Sequence, residues 1–127
     1  MGGISDRASG GGAFPYYFAW LAVGTAPNSI GPFNSNWGTI PAAYQTGWTS
    51  EYSATGVLQL GLNPGLASLL FDWDFFAIGQ DSTSGTEPLT VNPSPGEVVA
   101  GYDYALVVYL NGVLFSSAVD LIFIGTA

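Results

Sequence analysis

Aspartates are the side chains through which this chain could do chemistry, because most other catalytic residue types are missing. The sequence contains no cysteine and no histidine, and its single basic residue is Arg7, so lysine is absent as well. A serine or threonine nucleophile needs a basic partner, usually His or Lys, and a zinc centre needs Cys or His ligands. These absences exclude triad-type hydrolysis, Schiff-base catalysis and zinc chemistry. The remaining candidates are Asp72, Asp74, Asp103 and Asp120.

Two kinds of carboxylate chemistry are open to these aspartates. Glycoside hydrolysis needs only two carboxyl groups at a suitable separation, but a chain of 127 residues leaves little room for a deep substrate cleft. Hard cations such as Ca²⁺ prefer clusters of oxygen ligands. We therefore predict no enzymatic activity and no obligatory cofactor. Asp103 and Asp120 are the candidate ligands for Ca²⁺, and solvated surface carboxylates are the alternative interpretation.

Aromatic residues form the second group of candidates. Residues 25–47 are predicted to be a long irregular loop, because proline, glycine and asparagine recur along them. Three of the aromatic candidates lie within this loop, and the fourth directly follows it. Tyrosine and tryptophan are enriched at interface hot spots and stack on sugar rings. We predict that these residues form a subunit interface, with carbohydrate binding and a small core beneath the loop as alternatives. The residues are Phe33, Trp37, Tyr44 and Trp48.

Charge excludes two classes of partner. The chain has nine acidic residues and one basic residue, a net charge of −8, and only 8% of its residues are charged. Nucleic-acid and anionic-membrane binding both depend on clustered Lys and Arg, so we predict neither. No apolar run reaches the length of a membrane-spanning helix. With few charges on the surface, association with further copies of the chain is physically easy.

The segments that carry these candidate residues are predicted to be mostly β-strands. Residues 1–12 (MGGISDRASGGG) are rich in glycine, and we predict a flexible arm there, either solvated or ordered on a neighbouring subunit. Residues 13–127 are predicted to form one β-domain, because short segments rich in β-branched and aromatic residues alternate with Gly/Pro turns. The fold class expected is all-β, a single-domain antiparallel sandwich or barrel of about six to eight strands.

The clearest element is a hairpin in the C-terminal third. Asn111-Gly112 is the dipeptide typical of a two-residue hairpin turn, and it is flanked by apolar segments. The turn pairs Leu110 with Val113, and the same register continued along both strands pairs Asp103 with Asp120. Carboxylates directly opposite each other lie about 5 Å apart and repel. That repulsion is the reason for expecting a bound cation, a raised pKa or simple exposure to solvent.

These features together favour a structural protein over a catalyst. The leading hypothesis is a non-enzymatic protein that assembles with itself or onto a larger lattice, such as a virion-surface or capsid-decoration protein. A carbohydrate- or receptor-binding β-module of a viral tail or spike is one alternative. Another is an extracellular or cell-surface filament subunit that donates residues 13–23 to its neighbour as a strand. The start at Met1 without a secretion signal favours assembly inside a cell.

Overall fold

Two antiparallel sheets make up most of the part of the protein that the structure describes. The computed structural model describes residues 16–32, 40–68, 72–80 and 89–126, and nine strands lie within them. The predicted arm, residues 1–12, lies outside the described residues. The strands are β1 (Tyr16–Val23), β2 (Ile30–Pro32), β3 (Thr49–Ala54), β4 (Val57–Gly61), β5 (Asp72–Gln80), β6 (Leu89–Pro93), β7 (Tyr104–Leu110), β8 (Val113–Leu114) and β9 (Val119–Thr126).

The all-β prediction is confirmed, with more strands than the six to eight expected. The count rises because β2 lies in the segment predicted to be irregular and because the last predicted strand is divided into β8 and β9. Helical structure in the described residues is limited to α1 (Pro64–Ala67) and single 3-10 turns at Ala42–Tyr44 and Pro95–Glu97. In this part of the chain no helix has the length and apolar character needed to cross a membrane.

The two sheets enclose one hydrophobic core. Sheet I has the strand order β2-β1-β9-β5, and sheet II has the order β3-β4-β7-β6 with β8 beside the end of β7. Strand β9 shows the alternation expected of a sheet with one buried face, since Val119, Leu121 and Phe123 have no exposed surface. They belong to the same buried cluster as Leu58 and Leu106 of sheet II. Each such side chain contributes about 1.5–3 kcal/mol on burial.

Strand β4 is covered on both of its faces. All five of its residues are buried, including Gln59, which has no exposed surface. The side-chain Nε2 of Gln59 donates to Glu97 O (2.9 Å) and Ser53 Oγ (3.0 Å), and its Oε1 accepts from Val99 N (3.0 Å). The hydrogen bonds of the Gln59 side-chain amide therefore hold the connection between β6 and β7 against the outer side of sheet II.

The C-terminal hairpin begins as predicted and then departs from the prediction. Asn111 and Gly112 have φ of 51° and 81°, as a two-residue turn of this type requires, and Leu110 pairs with Val113. After β8 the chain leaves sheet II and enters sheet I as β9. Two hydrogen bonds hold this crossing segment. Ser116 Oγ accepts from Gly56 N (2.6 Å), and Ser117 O accepts from the Tyr52 hydroxyl (2.7 Å).

The predicted pairing of Asp103 with Asp120 is therefore wrong. Asp120 lies in sheet I, where its register partners are Ala22 of β1 and Gly79 of β5. Asp103 directly precedes β7 in sheet II. The prediction failed because it extended the register of a tight turn through residues 115–118, where the chain changes sheets.

Candidate functional site

Asp103 has a structural role in the sheet. Its backbone N–H donates to Leu60 O (2.9 Å), and its Oδ2 accepts from Leu62 N (2.7 Å). The carboxylate thus takes the place of a backbone carbonyl and extends the β4–β7 ladder by one step before the start of β7. A hydrogen bond of this kind to a charged acceptor contributes more than one to a neutral acceptor.

The cation site predicted from Asp103 and Asp120 loses its geometric basis. The two residues belong to different sheets, and Asp120 occupies a half-buried position between inward-facing Val119 and Leu121. Among the residues that the structure describes, no group of three or more acidic side chains is placed to hold a metal ion. Asp72 and Asp74 occupy register positions of β5 opposite Thr126 and Ile124, in sheet I.

Two of the four predicted interface aromatics lie within the described residues, and both pack against the protein itself. Trp48 is only 6% exposed, its Nε1 donates to Tyr44 O (2.7 Å), and its ring meets Phe123 edge-on at 5.2 Å. In the single chain the Trp48 side chain therefore belongs to the core, which was one of the alternatives for these aromatics. Tyr44 is half-buried and meets Tyr17 edge-on at 6.5 Å. Phe33 and Trp37 lie outside the described residues.

The outer face of sheet I combines apolar and acidic residues, since Asp120 shares the outward positions of β9 with Ile122 and Ile124. In β9 the positions between the buried residues are held by Ile122 and Ile124, both half-buried. Phe18 of β1, also half-buried, pairs with Ile124, and Trp20 occupies the register position opposite Ile122. We call Phe18, Ile122 and Ile124 the outer apolar face. The sequence of β9 indicates that both of its faces are largely apolar. It does not show which face is buried, because a nearly continuous apolar strand is also typical of a strand that is buried on both faces.

A small cavity opens beside the start of β7. Its volume is about 140 Å³, and its lining includes Pro93, Pro95, Val98 and Tyr104, with Asp103 as its acidic residue. We call it the Asp103 cavity. Proline has no N–H to donate, so these walls offer little to an anion. The cavity is well below the roughly 300 Å³ at which small-molecule sites begin, so it fits a single side chain better than a metabolite.

A second exposed apolar feature is the tip of the β7–β8 hairpin. Val113 is 68% exposed and Leu114 is 45% exposed. Both belong to sheet II and lie beside the Asn111-Gly112 turn, apart from the strands of the outer apolar face. Single exposed apolar residues are common on soluble proteins, so these serve below as matched controls.

The fold and these surfaces define an acidic antiparallel β-sandwich. Comparison with known proteins adds no narrower identity, since no family model, no curated protein and no solved structure matches the chain.

Proposed function

We propose that this protein is a non-enzymatic structural subunit that assembles with further copies of itself through the outer apolar face. The observation that carries the proposal is the apolar character of two outward positions of β9, Ile122 and Ile124. The outer side of β4 is covered by the chain's own β6–β7 connection, fastened by Gln59. In sheet I, Ile122 and Ile124 hold the outward positions of the strand between β1 and β5.

An apolar face of this kind favours a second copy as its occupant. A face that meets an identical face forms an isologous interface, the commonest arrangement in homo-oligomers. Such interfaces are more apolar than the rest of the surface. Only 8% of the residues in the sequence are charged, but Asp120 lies on the same face as Ile122 and Ile124, so a contact there must leave that carboxylate at its solvated rim. A virion surface or capsid exterior is the setting we propose, because small subunits of this kind pack there side by side.

The alternatives receive less support from the fold. In the filament hypothesis residues 13–23 are donated to a neighbour, but β1 (Tyr16–Val23) is paired along its whole length with β9 in its own sheet. In the carbohydrate hypothesis exposed aromatics stack on sugar rings, but Trp48 is buried.

The test is the molar mass in solution, measured by size-exclusion chromatography with light scattering over a range of protein concentrations. We expect the unmodified chain to form a defined oligomer. Ile122→Ser should weaken this association several-fold, since only the part of the isoleucine side chain that is still exposed in the single chain becomes buried at the contact. The matched control, Val113→Ser, removes a more exposed branched side chain from the other sheet and should leave the oligomer unchanged.

Two results would overturn the proposal. One is a chain that stays monomeric at all concentrations, and the other is an equal effect of Ile122→Ser and Val113→Ser. Circular dichroism and urea unfolding of each variant separate loss of association from loss of folding.

A further inference from the structure

The Asp103 cavity has the size and charge to hold one basic side chain. Its volume is about 140 Å³, and Pro93, Pro95 and Val98 give it apolar walls. Oδ2 of Asp103 accepts from Leu62 N, and an ionised carboxylate has capacity for further donors. An occupant with an apolar stem and a cationic end would therefore match both parts of the lining.

The chain supplies one side chain of this kind. Arg7 is its sole Lys or Arg, set in a glycine-rich sequence ahead of β1. Arginine packs the methylene groups of its stem against apolar surface and places its guanidinium on a carboxylate. The nine positions from Arg7 to Tyr16 can span at most about 30 Å when extended.

Charge favours a neighbouring copy as the source of this arginine. Each copy has a net charge of −8, so association places like charges together. An Arg7 seated against the Asp103 of another copy brings an opposite charge into every such contact and offsets part of that repulsion.

We propose that the Asp103 cavity binds the Arg7 side chain of a second copy of this chain. This proposal rests on the proposed assembly and names a second contact within it, separate from the outer apolar face.

The absence of native cysteine allows a direct test by disulfide trapping. Two single-cysteine variants of the full chain, Ala8→Cys and Val98→Cys, are mixed and mildly oxidised, so that any 8–98 disulfide joins two molecules. Val98 is 36% exposed at the cavity. In the control mixture Val113→Cys replaces Val98→Cys, and this site is more exposed, at 68%. Peptide mapping distinguishes the cross-links.

We expect the 8–98 cross-link to exceed the 8–113 cross-link several-fold, despite the greater exposure of residue 113. Adding Arg7→Gln to the Ala8→Cys copy should lower the 8–98 yield roughly twofold to fivefold, the range of a partly exposed ion pair. Asp103→Asn in the Val98→Cys copy should lower it similarly, because asparagine keeps an acceptor for Leu62 N but loses the charge.

Three results would overturn the proposal: equal 8–98 and 8–113 yields, an 8–98 yield insensitive to Arg7→Gln, or a cross-linked monomer as the main product when both cysteines are placed in one chain. Light scattering on the cysteine-free chain separates the two proposals. An oligomer whose copies show no preferred 8–98 cross-link removes the cavity proposal alone, whereas a monomer removes the assembly on which both rest.

Discussion

Two serines of this protein lie in opposite hydrogen-bonding situations. Ser50 is fully buried, and its Oγ has no hydrogen-bond partner among the described residues. Ser116 Oγ accepts from Gly56 N at 2.6 Å. A buried polar group without a partner carries a desolvation cost, whereas a paired one contributes to stability.

Replacing each serine with alanine should therefore change stability in opposite directions. Ser50→Ala should raise the free energy of unfolding by up to about 1 kcal/mol, because it removes the unpaired hydroxyl. Ser116→Ala should lower it by about 1–2 kcal/mol, because Gly56 N loses its acceptor. Urea unfolding of both variants beside the unmodified chain measures the difference. A clear loss of stability in Ser50→Ala would contradict the assignment of its hydroxyl as unpaired.

Tyr52 should make stability depend on pH in the alkaline range. Burial raises the pKa of its hydroxyl to about 12, and the neutral hydroxyl donates a hydrogen bond to Ser117 O at 2.7 Å. The unfolded chain releases this proton near pH 10, before the folded chain does. Stability is therefore complete below about pH 10 and declines as the pH rises toward about 12.

The matched variant is Tyr52→Phe, which removes only the hydroxyl. It should cost about 1 kcal/mol at neutral pH through the lost hydrogen bond, and it should show a smaller decline above pH 10. Urea unfolding at a series of pH values compares the two chains. Identical alkaline profiles would mean that Tyr52 does not carry the effect.

For individual residues, the sequence showed which kinds of side chain are present but not what each side chain contacts in the fold. The absence of Cys, His and Lys is a property of the sequence alone. The role of Asp103 as a substitute carbonyl could not be predicted, because it depends on Leu60 and Leu62, about forty positions earlier in the chain. Trp48 was predicted to lie at an interface or in a small core beneath the loop, and the sequence could not decide between them because its partner Phe123 lies in the most distant strand.

At the scale of elements, two turn glycines share a backbone conformation that other residues rarely adopt, but only one of them is closely surrounded by other atoms. Gly56 (φ +73°) and Gly112 (φ +81°) both lie in the left-handed region. A Cβ on Gly56 would lie 2.7 Å from Leu114 Cδ2 and 3.2 Å from Val108 O. A Cβ on Gly112 would meet no heavy atom within 4 Å.

Alanine at the two positions should therefore cost different amounts. Gly112→Ala should destabilise the protein by about 1–2 kcal/mol, the strain of a left-handed residue. Gly56→Ala should cost about 1–3 kcal/mol more, because it also crowds β8 against the β3–β4 turn. Thermal or urea unfolding measures both variants. Equal losses would show that the contact with Leu114 relaxes without cost.

The elements themselves were partly predictable. The Asn111-Gly112 turn was located correctly, because its signal is local and steric. The division of the following strand was not predicted, since Ser116 and Ser117 are small polar residues that a continuous hairpin strand also tolerates. Ser116 and Ser117 mark that point only through their contacts with Gly56 and Tyr52, which lie in another hairpin.

At the scale of the whole molecule, charge and apolar contact act against each other. Copies with a net charge of −8 repel, and the range of that repulsion falls from about 30 Å at 0.01 M salt to about 3 Å at 1 M salt. Association through the outer apolar face should therefore strengthen as salt is added. Light scattering across that range checks this expectation, with Ile122→Ser as the control that should respond weakly. Dissociation at high salt would indicate an interface dominated by opposite charges.

The position of β9 has a consequence for synthesis of the protein on the ribosome. In sheet I, β9 lies between β1 and β5, although it is made about a hundred residues after β1. At about 5–20 residues per second, β1 waits roughly 5–20 s for the strand that pairs along its entire length. During that interval the nascent chain holds an apolar strand with one unsatisfied edge, the kind of segment that chaperones bind and that aggregates when it is left uncovered.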